Sequence, residues 1–202
     1  MLPTRLLKQM KSIPTLTPSF IRERLAGYQR QSIGRSTLTK SAVLVPIVKG
    51  ENGLELLFTK RSETVEHHKG QISFPGGATD ASDLTPADTA LRESFEEIGL
   101  DRSAITIIGV MDDLRTPSGF VVTPVVGFIE LLPTLRINTE EVAQVICIPL
   151  EKFFDDALRR SDLRERDGIK IEVFFYDVWE EPVWGATAFF VNQLVSLLKG
   201  AR

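Results

Sequence analysis

Between Thr85 and Gly99 the sequence "TPADTALRESFEEIG" carries the start and the stop of one helix, and no other stretch restricts the fold so tightly. Thr85 reads as the N-cap, Pro86 as the first helical residue, Asp88 as the acid of a capping box and Gly99 as the residue that ends the helix. At about 100° per residue, Ala87, Leu91, Phe95 and Ile98 share one face, while Glu93, Glu96 and Glu97 gather roughly opposite. The apolar face needs a sheet to cover it. The acidic face is harder to explain: like charges one helical turn apart repel by about 0.2–0.5 kcal/mol a pair, and the helix C-terminus nearby is itself partly negative. A solvated charged surface is the plain explanation. A divalent cation is the sharper one, because carboxylate oxygens are the ligands that Mg²⁺ and Mn²⁺ prefer. "FPGG" (74–77), ahead of the helix, complements it: Gly76 and Gly77 let backbone approach a metal or phosphate, and the Gly77 carbonyl is a candidate ligand.

The remaining pattern supplies the sheet. "SAVLVPIVK" and "LELLFTKR" read as strands joined by the turn "GENG", and "GQISF" as a short third strand. "AITIIGVM", "FVVTPVVGFIEL", "AQVICIPL" and "IKIEVFFYDV" are further strands. Residues 1–16 are poorly patterned, Thr17-Pro18 opens a helix reaching about Gln31, "QSIGRSTLTK" is a polar link, and "GATAFFVNQLVSLLKG" closes the chain as a helix. The reading is an α/β or α+β sandwich, a mixed sheet covered by helices. With 202 residues, 43% hydrophobic, the chain is sized for one core. A net charge of −3 gives no general reason to expect nucleic acid or an anionic membrane as partner. Cys147 has no second cysteine to pair with and lies in an apolar strand, which points to a reducing compartment. Neither a secretory leader nor a membrane span is legible, so a cytoplasmic location is expected.

Taken together, Gly77, Asp83, Arg92, Glu93, Glu96, Glu97, Gly99 and Leu100 resemble the Nudix box, GX5EX7REUXEEXGU with U aliphatic. Asp83 stands where the box has glutamate, Ser94 where it has an aliphatic residue, and the span from Gly77 to Arg92 is one residue longer. "LLFTKRSETVEHHKGQISFPGG" (56–77) is similar to the signature that precedes the box in the coenzyme A pyrophosphatase branch, with Glu66 in place of an arginine. "DDLRTPSGFVVTPVVGF", "EEVAQVICIPL" and "WGATA" extend the resemblance to roughly residues 40–190. It implies a Nudix α/β/α sandwich over 36–202, with 1–35 as an extension whose helix packs on it. It also implies Mg²⁺ or Mn²⁺ as cofactor, and hydrolysis of the coenzyme A pyrophosphate to adenosine 3′,5′-bisphosphate and 4′-phosphopantetheine. Glu93, Glu96 and Glu97 are then metal ligands, Arg92 orients a box carboxylate, and Asp83 is an auxiliary acid.

Hydrolysis also needs a base, for which Glu97, Glu96 and, from outside the box, Glu141 are the candidates. Lys60, Arg61 and Lys69 flank "FPGG" and are candidate phosphate contacts, with Gly76 beside them; each is equally an ordinary charge at a strand end. His68 matches the branch signature and is a candidate substrate contact, His67 less so. Arg115, Thr116 and Ser118 fall in a polar loop, and Trp184 either stacks on adenine or packs in the interior. The expected partner is a small nucleotide, without nucleic acid or membrane, and a homodimer is left open. ADP-ribose, a dinucleotide or a nucleoside triphosphate remain alternative substrates, and a non-catalytic nucleotide-binding module is the alternative class.

Overall fold

The computed structural model describes residues 15–63, 70–166 and 169–200. Strands β1 (Thr39–Gly50) and β2 (Gly53–Arg61) form the expected hairpin, closing at the Gly50–Gly53 pair. β3 (Ile72–Ser73) extends β2, and β4 (Gly76–Ala78) lies antiparallel on the first part of β1. Helix α2 (Pro86–Ile98) follows, preceded in the chain by α1 (Pro18–Ala26). β5 (Thr106–Val110), β6 (Leu114–Arg115) and β7 (Phe120–Ile129) come next, and β7 pairs parallel with β1 from Thr39–Phe120 to Val48–Ile129. β8 (Val142–Pro149) joins the outer side of β2. β9 (Arg159–Arg166), β10 (Ile169–Tyr176) and β11 (Val183–Trp184) make a second sheet, and α3 (Gly185–Leu198) ends the fold.

Alternation along β1 and β2 sends side chains to two cores. Ala42, Leu44, Val48 and Leu57 meet Ala90, Leu91 and Ile98 of α2 on one face. Val45, Ile47, Leu56 and Phe58 meet α1, α3 and the second sheet through Ile21, Phe190, Leu194 and Tyr176 on the other. A strand covered on both faces reads as a nearly continuous apolar run, which is what "SAVLVPIV" is. Pro46 is tolerated in it because β4 pairs with residues 41–43 and β2 only from Ile47 onward, so no ladder bond is missed on that side. The architecture is the α/β/α sandwich expected from the sequence.

Several elements differ from expectation. α1 stops at Ala26 rather than Gln31, because Gly27 caps it and the next residues are drawn elsewhere. Asp112 accepts the Gln31 amide at 2.7 Å, and Asp113 accepts the Ile33 amide at 2.7 Å and the Arg30 guanidinium at 2.6 Å. The polar link is therefore strapped to the β5–β6 turn. β9 went unrecognised because "RRSDLRER" has no apolar alternation; β10 pairs with it throughout. Arg115 belongs to β6 and not to a loop. Among the described residues no helix is long and apolar enough to cross a membrane.

Candidate active site

Helix α2 begins and ends where its signals lie. The Thr85 hydroxyl accepts the Asp88 amide, Asp88 accepts the Thr85 amide, and Gly99 turns left-handed at φ 67°, ψ 21°. Its phase is rotated from the predicted one. Ser94 is buried and donates to the Ala90 carbonyl at 2.6 Å, whereas Phe95 is 47% exposed. That rotation carries Glu97 out of the acidic surface and into the seam between helix and sheet, where it is 4% exposed.

Gly76 lets β4 lie close on β1, and Gly77 lets the helix come this close. A Cβ on Gly76 would stand 2.3 Å from the Ala42 carbonyl, and one on Gly77 would stand 2.4–2.6 Å from the Glu93 carboxyl group. Glu93 therefore lies directly on the Gly77 backbone. Arg92 ties the ensemble together: it donates to Asp83 from Nε and Nη2, to Glu93 at 2.9 Å and Glu96 at 3.0 Å from Nη1, and to the Ala78 carbonyl at 2.8 Å. The planar fork suits this task, since it delivers several charge-assisted bonds from one rigid group. The guanidinium holds the Asp83 carboxyl well below the usual range, at about 2. The resemblance's auxiliary acid is thus an anchor for Arg92.

Glu97 is the electrostatic anomaly. Its Oε2 is buried without a hydrogen-bond partner. Burial pushes the carboxyl up to about 8; the positive charge of Arg61 and the Gly76 amide oppose this, and the charges of Glu93 and Glu141 add to it. Glu93 is raised too, first by burial, with Arg92 opposing. Glu96 is 53% exposed at its side chain. Glu141 is exposed and accepts from Asn138 Nδ2 at 3.1 Å, while the Asn138 amide donates to the Glu97 carbonyl at 2.8 Å. Asn138 is the residue that sequence reasoning missed. Its signal was present in "INTEE", an asparagine whose side chain accepts a backbone amide two residues on, from Glu140 at 3.2 Å.

Other candidates separate. Arg61 faces α2, its Nε buried and unpartnered, whereas its neighbour Lys60 points to the opposite side and pairs with Glu181 at 2.6 Å. Trp184 packs flat on Phe175. Cys147 is half-buried, its thiol pushed up to about 11 by burial, as suits an inert thiol. His67, His68, Lys69 and Glu66 lie outside the described residues.

A hard divalent cation fits this chemistry, because the orphaned Glu97 oxygen lies among further carboxylates and beside a glycine backbone. Among the described residues no three acidic, histidine or cysteine side chains are already grouped as ligands. Arg92 pairs with both Glu93 and Glu96 and so gathers two of the box carboxylates at one place on the helix.

Comparison with known proteins gives the family. A family model for the Nudix domain matches residues 38–167. The Nudix hydrolase NudL of Pectobacterium atrosepticum is 39% identical over 158 residues, covering 77% of this chain and 80% of its own. NudL of Yersinia enterocolitica is 38% identical, covering 76% and 78%. The solved structure of RenU, a Nudix hydrolase from M. smegmatis, is 21% identical with a TM-score of 0.49, over 58% of this chain and 74% of that one. With its box on α2, Gly77 under Glu93 and a family match across most of its length, the chain belongs to the Nudix hydrolases, enzymes that generally depend on divalent metal ions.

Proposed function

We propose that this Nudix hydrolase cuts the pyrophosphate bond of coenzyme A or its derivatives with Mg²⁺ or Mn²⁺, releasing adenosine 3′,5′-bisphosphate and 4′-phosphopantetheine. The observation that carries the metal dependence is the buried, partnerless Oε2 of Glu97 beside Glu93 on Gly77. The branch signature at 56–77 carries the substrate. The single thiol of Cys147, protonated at neutral pH, suits the reducing cytoplasm in which we place the enzyme.

In this reading Glu93, Glu96, Glu97 and the Gly77 carbonyl hold the metal. When bound, the cation neutralises phosphate charge and lowers the pKa of a coordinated water. Arg92, fixed by Asp83, holds Glu93 and Glu96 at the helix surface and limits their rotamers. Arg61 directs positive charge at the same end of the sheet and contacts a substrate phosphate bidentately. Water attacks one phosphorus, the bridging P–O bond breaks with its electron pair on the leaving phosphate, and the proton passes to a carboxylate. Glu141 suits that role, being exposed and outside the metal-holding set, with Asn138 on only one of its oxygens.

Glu66, a charge reversal within the signature, favours a second reading in which another nucleoside diphosphate derivative, such as ADP-ribose, is the substrate. Chromatographic product analysis decides. Coenzyme A, ADP-ribose, diadenosine compounds and nucleoside triphosphates are incubated with enzyme and Mg²⁺ or Mn²⁺, and with chelator. Metal-dependent release of adenosine 3′,5′-bisphosphate ahead of every other product is expected. Faster turnover of ADP-ribose than of coenzyme A would transfer the assignment to the second reading.

A further inference from the structure

The connection from β7 to β8 is fastened to the end of the box helix. A helix leaves its last carbonyls without intrahelical donors. In α2 the Gly99 and Leu100 amides serve Phe95 and Ser94, while the Glu97 and Ile98 carbonyls are served from far along the chain. Asn138 donates to Glu97 at 2.8 Å and Arg136 to Ile98 at 2.9 Å. Gly99 permits this approach, since a Cβ there would stand 2.9–3.0 Å from Arg136. These bonds use backbone alone, so they do not by themselves call for asparagine at 138.

The side chain does. Its Oδ1 accepts the Glu140 amide at 3.2 Å, and its Nδ2 donates to Glu141 Oε1 at 3.1 Å. The two ends cannot be exchanged, because a backbone N–H only donates and an ionised carboxylate only accepts. The Asn138 carbonyl accepts the Glu141 and Val142 amides at 3.1 Å and 2.8 Å, so the chain winds round this one residue as β8 begins. From β2 the Ser62 amide donates to the Glu141 carbonyl at 2.9 Å. Beyond it, Arg61 lies opposite Val142 but Lys60 opposite Gln144, which makes Ala143 an extra residue in β8. That bulge turns the strand where Val142, 1% exposed, joins the core under α2. The Glu141 backbone is thus fixed on two sides, and Asn138 holds one oxygen of its exposed carboxyl group.

We propose that Asn138 is a positioning residue for the reaction: its backbone amide on the Glu97 carbonyl and its side-chain amide on Glu141 set the carboxylate that takes the proton against the helix that carries the metal-holding acids. The inference rests on the reading of Glu141 as the base. A base must come within hydrogen-bond reach of the attacking water, and an ångström of misplacement is costly. An exposed glutamate with three rotatable bonds does not stay in one place unaided. A neutral amide suits the task at this site. An acid at 138 would add to the repulsion among the carboxylates, and a lysine or arginine would form an ion pair that competes for the lone pairs needed by the water.

The test is a double-mutant cycle on the full chain, with whichever of coenzyme A and ADP-ribose is turned over faster. Asn138→Asp and Asn138→Ser each keep an acceptor for the Glu140 amide and lose the donor to Glu141; the first adds a charge and the second does not. Both should lower kcat about tenfold, with KM and the affinity for Mn²⁺, read by the paramagnetic resonance of the free ion, unchanged. In a Glu141→Gln background neither should lower kcat further, because there is no longer a base to place. An equal loss in both backgrounds, a weakened Mn²⁺ affinity, or no loss at all would overturn the assignment and leave Asn138 as a cap on α2. If Glu141→Gln by itself keeps the wild-type kcat, the base reading fails and takes this proposal with it, an outcome distinct from failure at Asn138 alone.

Discussion

Two arginine–aspartate clamps hold this molecule at different places, and they are nearly identical in exposure. Arg92–Asp83 closes at 2.9 Å with side chains 26% and 4% exposed; Arg30–Asp113 closes at 2.6 Å with 29% and 4%. They differ in what the remaining groups do. At Arg30 the spare valence belongs to the acid, since Asp113 also accepts the Ile33 amide and the Thr123 hydroxyl while Arg30 Nε is left without a partner. At Arg92 it belongs to the guanidinium, which goes on to Glu93, Glu96 and the Ala78 carbonyl. An acid-centred clamp secures backbone. An arginine-centred clamp positions other acids, and in doing so it shields carboxylates that would otherwise repel one another. The first clamp serves stability, and the second gathers the acids that we propose as the metal site.

The sharpest way to break this division is at Glu97, which neither clamp touches. Glu97→Gln should lower metal-dependent turnover roughly a thousandfold. It should also stabilise the metal-free protein at pH 7, because the wild-type carboxyl is raised from about 4.5 to about 8 and stability is lost as pH rises through that interval. Chemical denaturation with chelator present, at pH 5 and pH 8, measures the second effect; a variant no more stable than wild type at pH 8 would mean that Glu97 is better solvated than its burial indicates. Next in size, Asp113→Ala should cost about 2–4 kcal/mol in urea unfolding, because it strands Arg30 and two further donors. Its kcat should stay within twofold of wild type, and a large loss of kcat would put the strap in the catalytic machinery.

Arg92→Lys keeps the charge and loses the fork. We expect kcat/KM to fall about 10–100-fold with a stability loss of only about 1 kcal/mol, the reverse of the Asp113 pattern. Smallest is the acid limb at Asp83. Its carboxyl is held at about 2 against an ordinary 3.8, so the stabilisation it contributes is complete above pH 3.8 and disappears as pH falls toward 2. Asp83→Asn should flatten the decline of the melting temperature between pH 4 and pH 2, and an unchanged slope would show that Arg92 releases Asp83 before it protonates.

Much of this was legible in advance where the signal is local. Thr85, Asp88 and Gly99 bound their helix in the sequence as they do in space, since capping is decided by residues within one turn. Phase was less legible. A stripe including Phe95 and one including Ser94 are adjacent on the helix, and the choice rests on the sheet, which accepts a small hydroxyl that is satisfied by Ala90. From the sequence Glu97 was an exposed acid for that reason. β9 carried no periodic signal at all, and it is held as a strand by β10, which pairs with it throughout. The acids of the box were readable as a group; that Arg92 occupies two of them, and that Asn138 brings Glu141 to the third, depends on contacts distant in the chain.

The parallel pairing of β1 with β7 has a kinetic consequence. Thr39 sits opposite Phe120, and the whole of α2 lies on the connection between them. Closing a loop of that size loses entropy before either core repays it, which puts the pairing late in folding and makes it slow relative to the Gly50–Gly53 hairpin. The core under α2, beside which Glu97 is buried, includes Val125 and Ile129 of β7 and is complete only after that closure. Metal uptake during refolding should therefore track the last phase and not the early appearance of helix, so the cation serves as a clock for completion of the fold.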